Sequence, residues 1–155
     1  MNNNTSLLTK FVTFKVAGHW FALSMVAILR IVNCPPPEKG GVITLGVVQL
    51  GPHTVQLLDL YGIFGIGADA ASPDQASFLL VLRSEQKKLW GIALESPPDL
   101  IELPLDAFQA ISSDKSFAPR KQWISHIAVV SKPDISRTLL LLDLNAVFPS
   151  EVMVA

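Results

Sequence analysis

The chain has 155 residues with 12 lysines and arginines, 13 aspartates and glutamates, three histidines and one cysteine, for a formal net charge of −1. That length suits one domain or two small subdomains sharing a core, and the even charge argues against a protein whose main task is gripping phosphate backbones. One cysteine cannot close an internal disulfide, which points to a reducing compartment, and a 50% hydrophobic, 16% charged composition leaves unusually few charges to cover the outside.

Alternation and β-branched residues dominate the pattern, and helical periodicity is scarce. Residues 11–16 read as a strand, Ala17-Gly18-His19 as a turn and residues 20–23 as the return strand. Residues 26–32 form a further strand whose first residues could make a helical turn. Cys34 opens a loop through Gly41, because three successive prolines (35–37) cannot donate to a ladder. Residues 43–50 and 54–60 make a hairpin around Gly51-Pro52-His53. Residues 62–74, rich in Gly, Ala, Ser and Pro, read as a flexible connector.

The second half repeats the scheme: a strand over 77–83, a charged turn over 84–88, a return strand over 89–94, and a continuation over 100–103 after Pro97 and Pro98. A long loop over 104–120 carries one helical turn at 106–110. Residues 127–130 and 138–144 close a second hairpin around Lys132-Pro133-Asp134, and 143–148 form a short terminal helix. The segment Thr54 to Phe64 matches Thr138 to Phe148, with Leu57-Leu58-Asp59-Leu60 against Leu141-Leu142-Asp143-Leu144. Trp20-Phe21-Ala22-Leu23 stands where Trp90-Gly91-Ile92-Ala93 stands in the other half. Two related β-units of this size must bury a common interface, and small barrels resolve their edge problem.

No apolar stretch approaches the roughly 20 residues of a spanning helix. Residues 21–32 are too few and carry Arg30, and 42–60 are broken by Gln49, Pro52, His53 and Asp59. The opening Met1-Asn2-Asn3-Asn4-Thr5 lacks a basic signal-peptide region, so the expected location is the cytoplasm, without direct membrane insertion. Residues 1–60 hold only four bases and two acids, so their apolar side chains are buried in the core or against another protein.

Chemistry is sparse. Cys34 has no basic cluster beside it to activate the thiol. His19, His53 and His126 fall near turns without ligand spacing, so no metal and no cofactor are expected. Asp59 and Asp143 sit in duplicated segments, which favours a structural task at strand ends over catalysis. No phosphate-binding glycine loop is present, and no basic and aromatic interleaving marks a nucleic-acid partner.

Three segments resemble the CheW-like family of adaptor domains in bacterial chemotaxis and motility signalling. They are Phe11 to Ile31, similar to the family's Phe-x-x-Phe opening; Gly41 to Gly46 leading into Leu57-Leu58-Asp59-Leu60; and Leu141-Leu142-Asp143-Leu144. The resemblance implies an all-β fold of two small five-stranded, SH3-like β-barrels around a shared hydrophobic core. It implies a disordered segment at 1–8, a single domain of two interlocked barrels over 9–150, and a tail at 151–155.

It also implies a non-catalytic adaptor that couples the cytoplasmic tip of a chemoreceptor to the regulatory domain of a CheA-type histidine kinase, with recruitment to membrane receptor arrays. Mapped onto this chain, the implied partner-binding residues are Ile28, Arg30 and Ile31 on one strand, and Gly41, Leu45, Gly46 and Val47 on the following hairpin. Arg30 stands where the family has Glu, and Gly46-Val47 stand where it has Arg-Gly. Two readings of such changes stand side by side: they re-address partner choice, as in a paralogue serving a pilus-motility complex, or they mark a copy that has lost the usual contacts. The competing readings are a small-ligand barrel, which needs roughly 300 Å³ of unfilled interior, and an enzyme pairing Cys34 with a histidine.

Overall fold

β-Branched and aromatic residues crowd Leu8–Val16 and His19–Ser24, and these segments form the antiparallel strands β1 and β2. Ala17 and Gly18 between them take positive φ (53° and 82°), the left-handed pair by which a two-residue turn follows the twist of its strands. A 3₁₀ turn, Met25–Ala27, leads into β3 (Ile28–Asn33). β4 (Val47–Leu50) and β5 (His53–Leu57) form a hairpin around Gly51 and Pro52. β6 (Phe78–Arg83) and β7 (Leu89–Leu94) form the next. β8 (Asp99–Pro104), a 3₁₀ turn at Leu105–Ala107 and the two-residue β9 (Gln109–Ala110) come next in the chain. β10 (Ile124–Lys132), β11 (Ile135–Leu142) and one helical turn, α1 (Leu144–Val147), complete the order.

This computed structural model describes residues 7–36, 46–60, 76–84, 87–111, 123–132 and 135–147. The connector expected at 62–74, and the loop residues Gly41 and Leu45, lie outside the described residues. The helical turn expected at 106–110 is instead at Leu105–Ala107, because Phe108 is buried with its ring 4.8 Å from that of Phe11 and the chain turns extended there.

Two sheets result, one of six strands in the order β8-β1-β2-β11-β10-β9 and one of five in the order β3-β6-β7-β5-β4. The sixth strand beyond the expected five is the short β9. The sheets are not the two halves of the chain. The five-stranded sheet is the continuous run 28–94, and the six-stranded sheet combines 8–24 with 99–142. After β2 the 3₁₀ turn sends β3 to pair with β6, and the link at 95–98, with Pro97 and Pro98, sends β8 back to pair with β1. Both Leu-Leu-Asp-Leu strands also cross over: β5 runs parallel to β7, and β11 parallel to β2.

Strand alternation then divides the core. Phe14, Phe21, Leu23, Leu80, Leu82, Ile92, Leu94 and Leu142 meet in one cluster fed by both sheets. On the opposite faces, Phe11, Ala22, Phe108, Ala128 and Leu139 fill the concave side of the six-stranded sheet. Val48, Val55, Leu79 and Val81 fill that of the five-stranded sheet. Strands buried on both faces read as near-continuous apolar runs, which accounts for the 50% hydrophobic composition. The edges β8 and β9 are separated in the chain only by residues 105–108, a link of at most ~18 Å, so the six-stranded sheet curls back on itself.

The matched tryptophans are one residue out of step. Phe21 and Trp90 face the shared core, and Ala22 and Gly91 face the two separate ones. Aligning Trp20 with Trp90 therefore reverses the faces, as any one-residue slip in a strand does.

Candidate docking surface

β3 is an edge strand whose hydrogen-bonded neighbour is β6. Its register runs Ile28 opposite Leu82, then Arg30 opposite Val81, so Leu29 is the extra residue of a β-bulge. The bulge re-aims the side chains on either side of it. Ile28 is half-buried and packs against the shared core, whereas Val32 packs on the core of the five-stranded sheet. Leu29, Arg30 and Ile31 between them are exposed.

The preceding 3₁₀ turn has no buried residue, and Val26 on it is 92% exposed. Met25, Val26, Leu29 and Ile31 thus form an exposed apolar run interrupted by one charge, Arg30. Fully burying a side chain of this kind gains about 1.5–3 kcal/mol. A monomer forgoes most of that at Val26 and roughly half of it at Met25, Leu29 and Ile31, which makes this edge the candidate contact surface. Of the residues expected from the sequence, Arg30 and Ile31 are exposed here, and Met25, Val26 and Leu29 beside them were not among those expected. The available signal was the unbroken apolar run from Met25 to Leu29, which strict alternation cannot bury on one face.

Gly46 and Val47 lie on the opposite edge of the same sheet, at the start of β4. Gly46 has φ +75°, and its carbonyl accepts the Leu57 N–H at 2.8 Å, opening the β4–β5 ladder. Open space surrounds its Cα, so the left-handed backbone rather than crowding is what favours glycine. Val47 is half-buried opposite Gln56. The structure therefore places Ile28, Arg30 and Ile31 on one edge strand and Gly46 and Val47 at the other. Val32 and Cys34 from the first side, and Leu50 from the second, pack on one shared cluster.

Cys34 is half-buried against that aliphatic cluster, and its N–H donates to the Ser77 carbonyl at 3.0 Å. Burial pushes its thiol up from the ordinary value, which keeps it protonated and a weak nucleophile at neutral pH. Reaction with an aromatic disulfide reagent at pH 8 is expected to be at least ~10-fold slower than that of glutathione and to reach the free-thiol rate in urea.

The duplicated aspartates sit at strand ends. The Asp143 N–H donates to the Trp123 carbonyl, and its own carbonyl accepts the Ala146 and Val147 N–H groups that begin α1. Among the described residues no cluster of His, Cys, Asp and Glu could hold a metal ion, and no helix is long and apolar enough to cross a membrane.

An all-β pair of sheets around a common core, with an exposed apolar edge strand, defines a small binding module. The family model of the CheW-like domain matches residues 10–152, and the chain belongs to that family. The fold is similar to that of a solved structure titled the scaffolding protein TtCheW from Thermoanaerobacter tengcongensis, with a TM-score of 0.69 at 14% sequence identity. That similarity covers 97% of this chain and 94% of the other. No sequence match was found among curated proteins.

Proposed function

We propose that this chain is a non-catalytic adaptor that couples a chemoreceptor tip to the regulatory domain of a CheA-type histidine kinase. Membership of the CheW-like family supports the class, and the exposed run Met25, Val26, Leu29 and Ile31 around Arg30 is the observation that carries the docking assignment. An apolar strip crossed by one cation suits a partner that offers an apolar groove with an acidic rim: burial supplies affinity, and the charge selects the partner. Gly46 and Val47, with Gly41 and Leu45 shortly before them in the sequence, are assigned to a second contact. Arg30 in place of the family's Glu directs the chain to a paralogous complex, such as one controlling pilus-based motility.

The test is calorimetric binding of the intact protein to the regulatory domain of each CheA-type kinase from its own source. Micromolar binding to one of them is expected. Val26→Asp should weaken it at least ~10-fold without lowering the melting temperature, because that side chain is 92% exposed. Ile31→Asp should weaken it by a similar factor, with some loss of stability because its side chain is more than half buried on β3. Arg30→Glu should weaken it by a similar factor, and added salt should reduce the difference. Ile28→Asp is a poor probe, since Ile28 packs on the shared core and its loss would act through folding. Failure to bind any of these kinases would overturn the coupling role.

A further inference from the structure

The docking surface lies on the five-stranded sheet, but the mouth of the six-stranded one holds unfilled space. A cavity of about 270 Å³, a little under the roughly 300 Å³ at which drug-sized ligand pockets begin, is lined by Thr13 of β1, Asp99, Leu100 and Ile101 of β8, Val130 of β10, and Arg137 and Leu139 of β11. That is the space of about nine waters at roughly 30 Å³ each, as many non-hydrogen atoms as leucine carries. The mouth of a curled sheet is a common place for small-molecule sites.

Register supplies two separate pairs, Thr13 opposite Asp99 on β1 and β8 and Val130 opposite Arg137 on β10 and β11. The curl of the six-stranded sheet brings β8 over β11, so that Asp99 and Arg137 meet although two strands lie between them in the sheet order. Ile101, Val130 and Leu139 belong to the apolar cluster on the concave face and form an oily wall. Polar groups gather on the other side. The Arg137 guanidinium lies over the Trp20 ring, 3.8 Å from its centroid, a contact that holds the cation at the mouth. Its Nη1 stands 3.9 Å from Asp99 Oδ2, too far for a hydrogen bond, so each charge keeps capacity for another partner. The buried Thr13 hydroxyl donates to the Asp99 carbonyl at 3.5 Å.

A cation and an anion side by side above an aliphatic wall form a neutral, dipolar site. A simple carboxylate would be repelled by Asp99, and a simple amine by Arg137. A zwitterion satisfies both. We propose that the mouth of the six-stranded sheet binds a free branched-chain α-amino acid, with its carboxylate on Arg137, its ammonium on Asp99 and its side chain against Ile101, Val130 and Leu139.

The intact protein is titrated with L-leucine by calorimetry, while the indole N–H resonance of Trp20 is followed by NMR. Saturable binding with a Kd of ~0.1–1 mM is expected, with the Trp20 resonance shifting at the same midpoint. Two half-ligands separate the charges: 4-methylpentanoate keeps the carboxylate, and 3-methylbutylamine keeps the ammonium. Each should bind at least ~10-fold more weakly than leucine, and Arg137→Gln and Asp99→Asn should each weaken leucine by a similar factor. Should Arg137→Gln lower the melting temperature through loss of its Trp20 contact, Asp99→Asn decides, because its side chain is 59% exposed and its loss leaves the fold intact. No saturation below ~20 mM leucine would overturn the proposal. So would equal affinity for 4-methylpentanoate, which would mark an anion pocket, or unchanged affinity in Asp99→Asn.

Discussion

Phe21→Ala is expected to lower stability by about 3–5 kcal/mol. The Phe21 side chain has no exposed surface, and its ring stacks on that of Phe14 across the β1–β2 ladder, with centroids 5.8 Å apart. It lies in the cluster to which both sheets contribute, so the cavity left by truncation would loosen the contact between sheets as well as the hairpin itself. Against a total of about 5–15 kcal/mol for a domain, that loss removes a large share of the folded population's margin. Urea unfolding followed by fluorescence and by circular dichroism should shift to a lower midpoint with the slope unchanged, and the two signals should coincide. Separate transitions would mean that the sheets fold independently, contrary to a common core. Val26→Ala is the matched control, since a side chain 92% exposed should change stability by at most ~0.5 kcal/mol.

Strand content was legible in the sequence because it is written locally, in alternation and in turn residues. The turns read at Ala17-Gly18-His19 and Gly51-Pro52-His53 fall there, each one residue shorter because His19 and His53 already pair in β2 and β5. Which strand joins which sheet was not legible. The duplicated Leu-Leu-Asp-Leu segments state that β5 and β11 do equivalent work, but they do not say that each runs parallel to a strand distant in the chain. That choice depends on long-range burial and on where the 3₁₀ turn and the Pro97-Pro98 link aim the next strand. The one-residue offset between Phe21 and Trp90 was hidden for a related reason. Similar aromatic letters attract an alignment, whereas the faces are set by the neighbouring small residues, Ala22 and Gly91.

The docking surface divides in the same way. Arg30 and Ile31 were proposed as contact residues through the family resemblance, and the structure leaves both exposed. Ile28 is drawn toward the shared core because the bulge at Leu29 changes the alternation midway along β3, which no periodic reading of the sequence anticipates. The cavity at the six-stranded mouth had no sequence signal at all, since Thr13, Asp99 and Arg137 are separated by most of the chain. Register pairs Thr13 with Asp99, and the curl of the six-stranded sheet brings Arg137 over them.

Gly91→Val is the second large effect. A Cβ built on Gly91 would lie 2.8 Å from Val55 Cγ1, 2.9 Å from Leu79 Cδ1 and 3.3 Å from Leu57 Cδ2. Val55 and Leu79 are themselves fully buried, so neither can swing into solvent. Replacing a strand glycine would by itself gain about 0.5–1 kcal/mol through the unfolded chain. Overpacking at three close contacts costs about 1–3 kcal/mol even with relaxation, and valine adds two further methyl groups beyond that Cβ. The net effect is a loss of stability, and its location matters more than its size. Gly91 lies opposite Leu57 in the parallel β5–β7 pair, and its carbonyl accepts the Leu58 N–H at 2.8 Å. Forcing these strands apart would detach the β4–β5 hairpin that carries Gly46 and Val47, while the β3 edge keeps its pairing with β6. Hydrogen exchange should therefore accelerate at the amides of β4 and β5 before those of β1 and β2, and Gly91→Ala should show the same pattern more weakly. Uniform acceleration across both sheets would mean that the hairpin does not open on its own and that the shared core transmits the strain to the whole molecule.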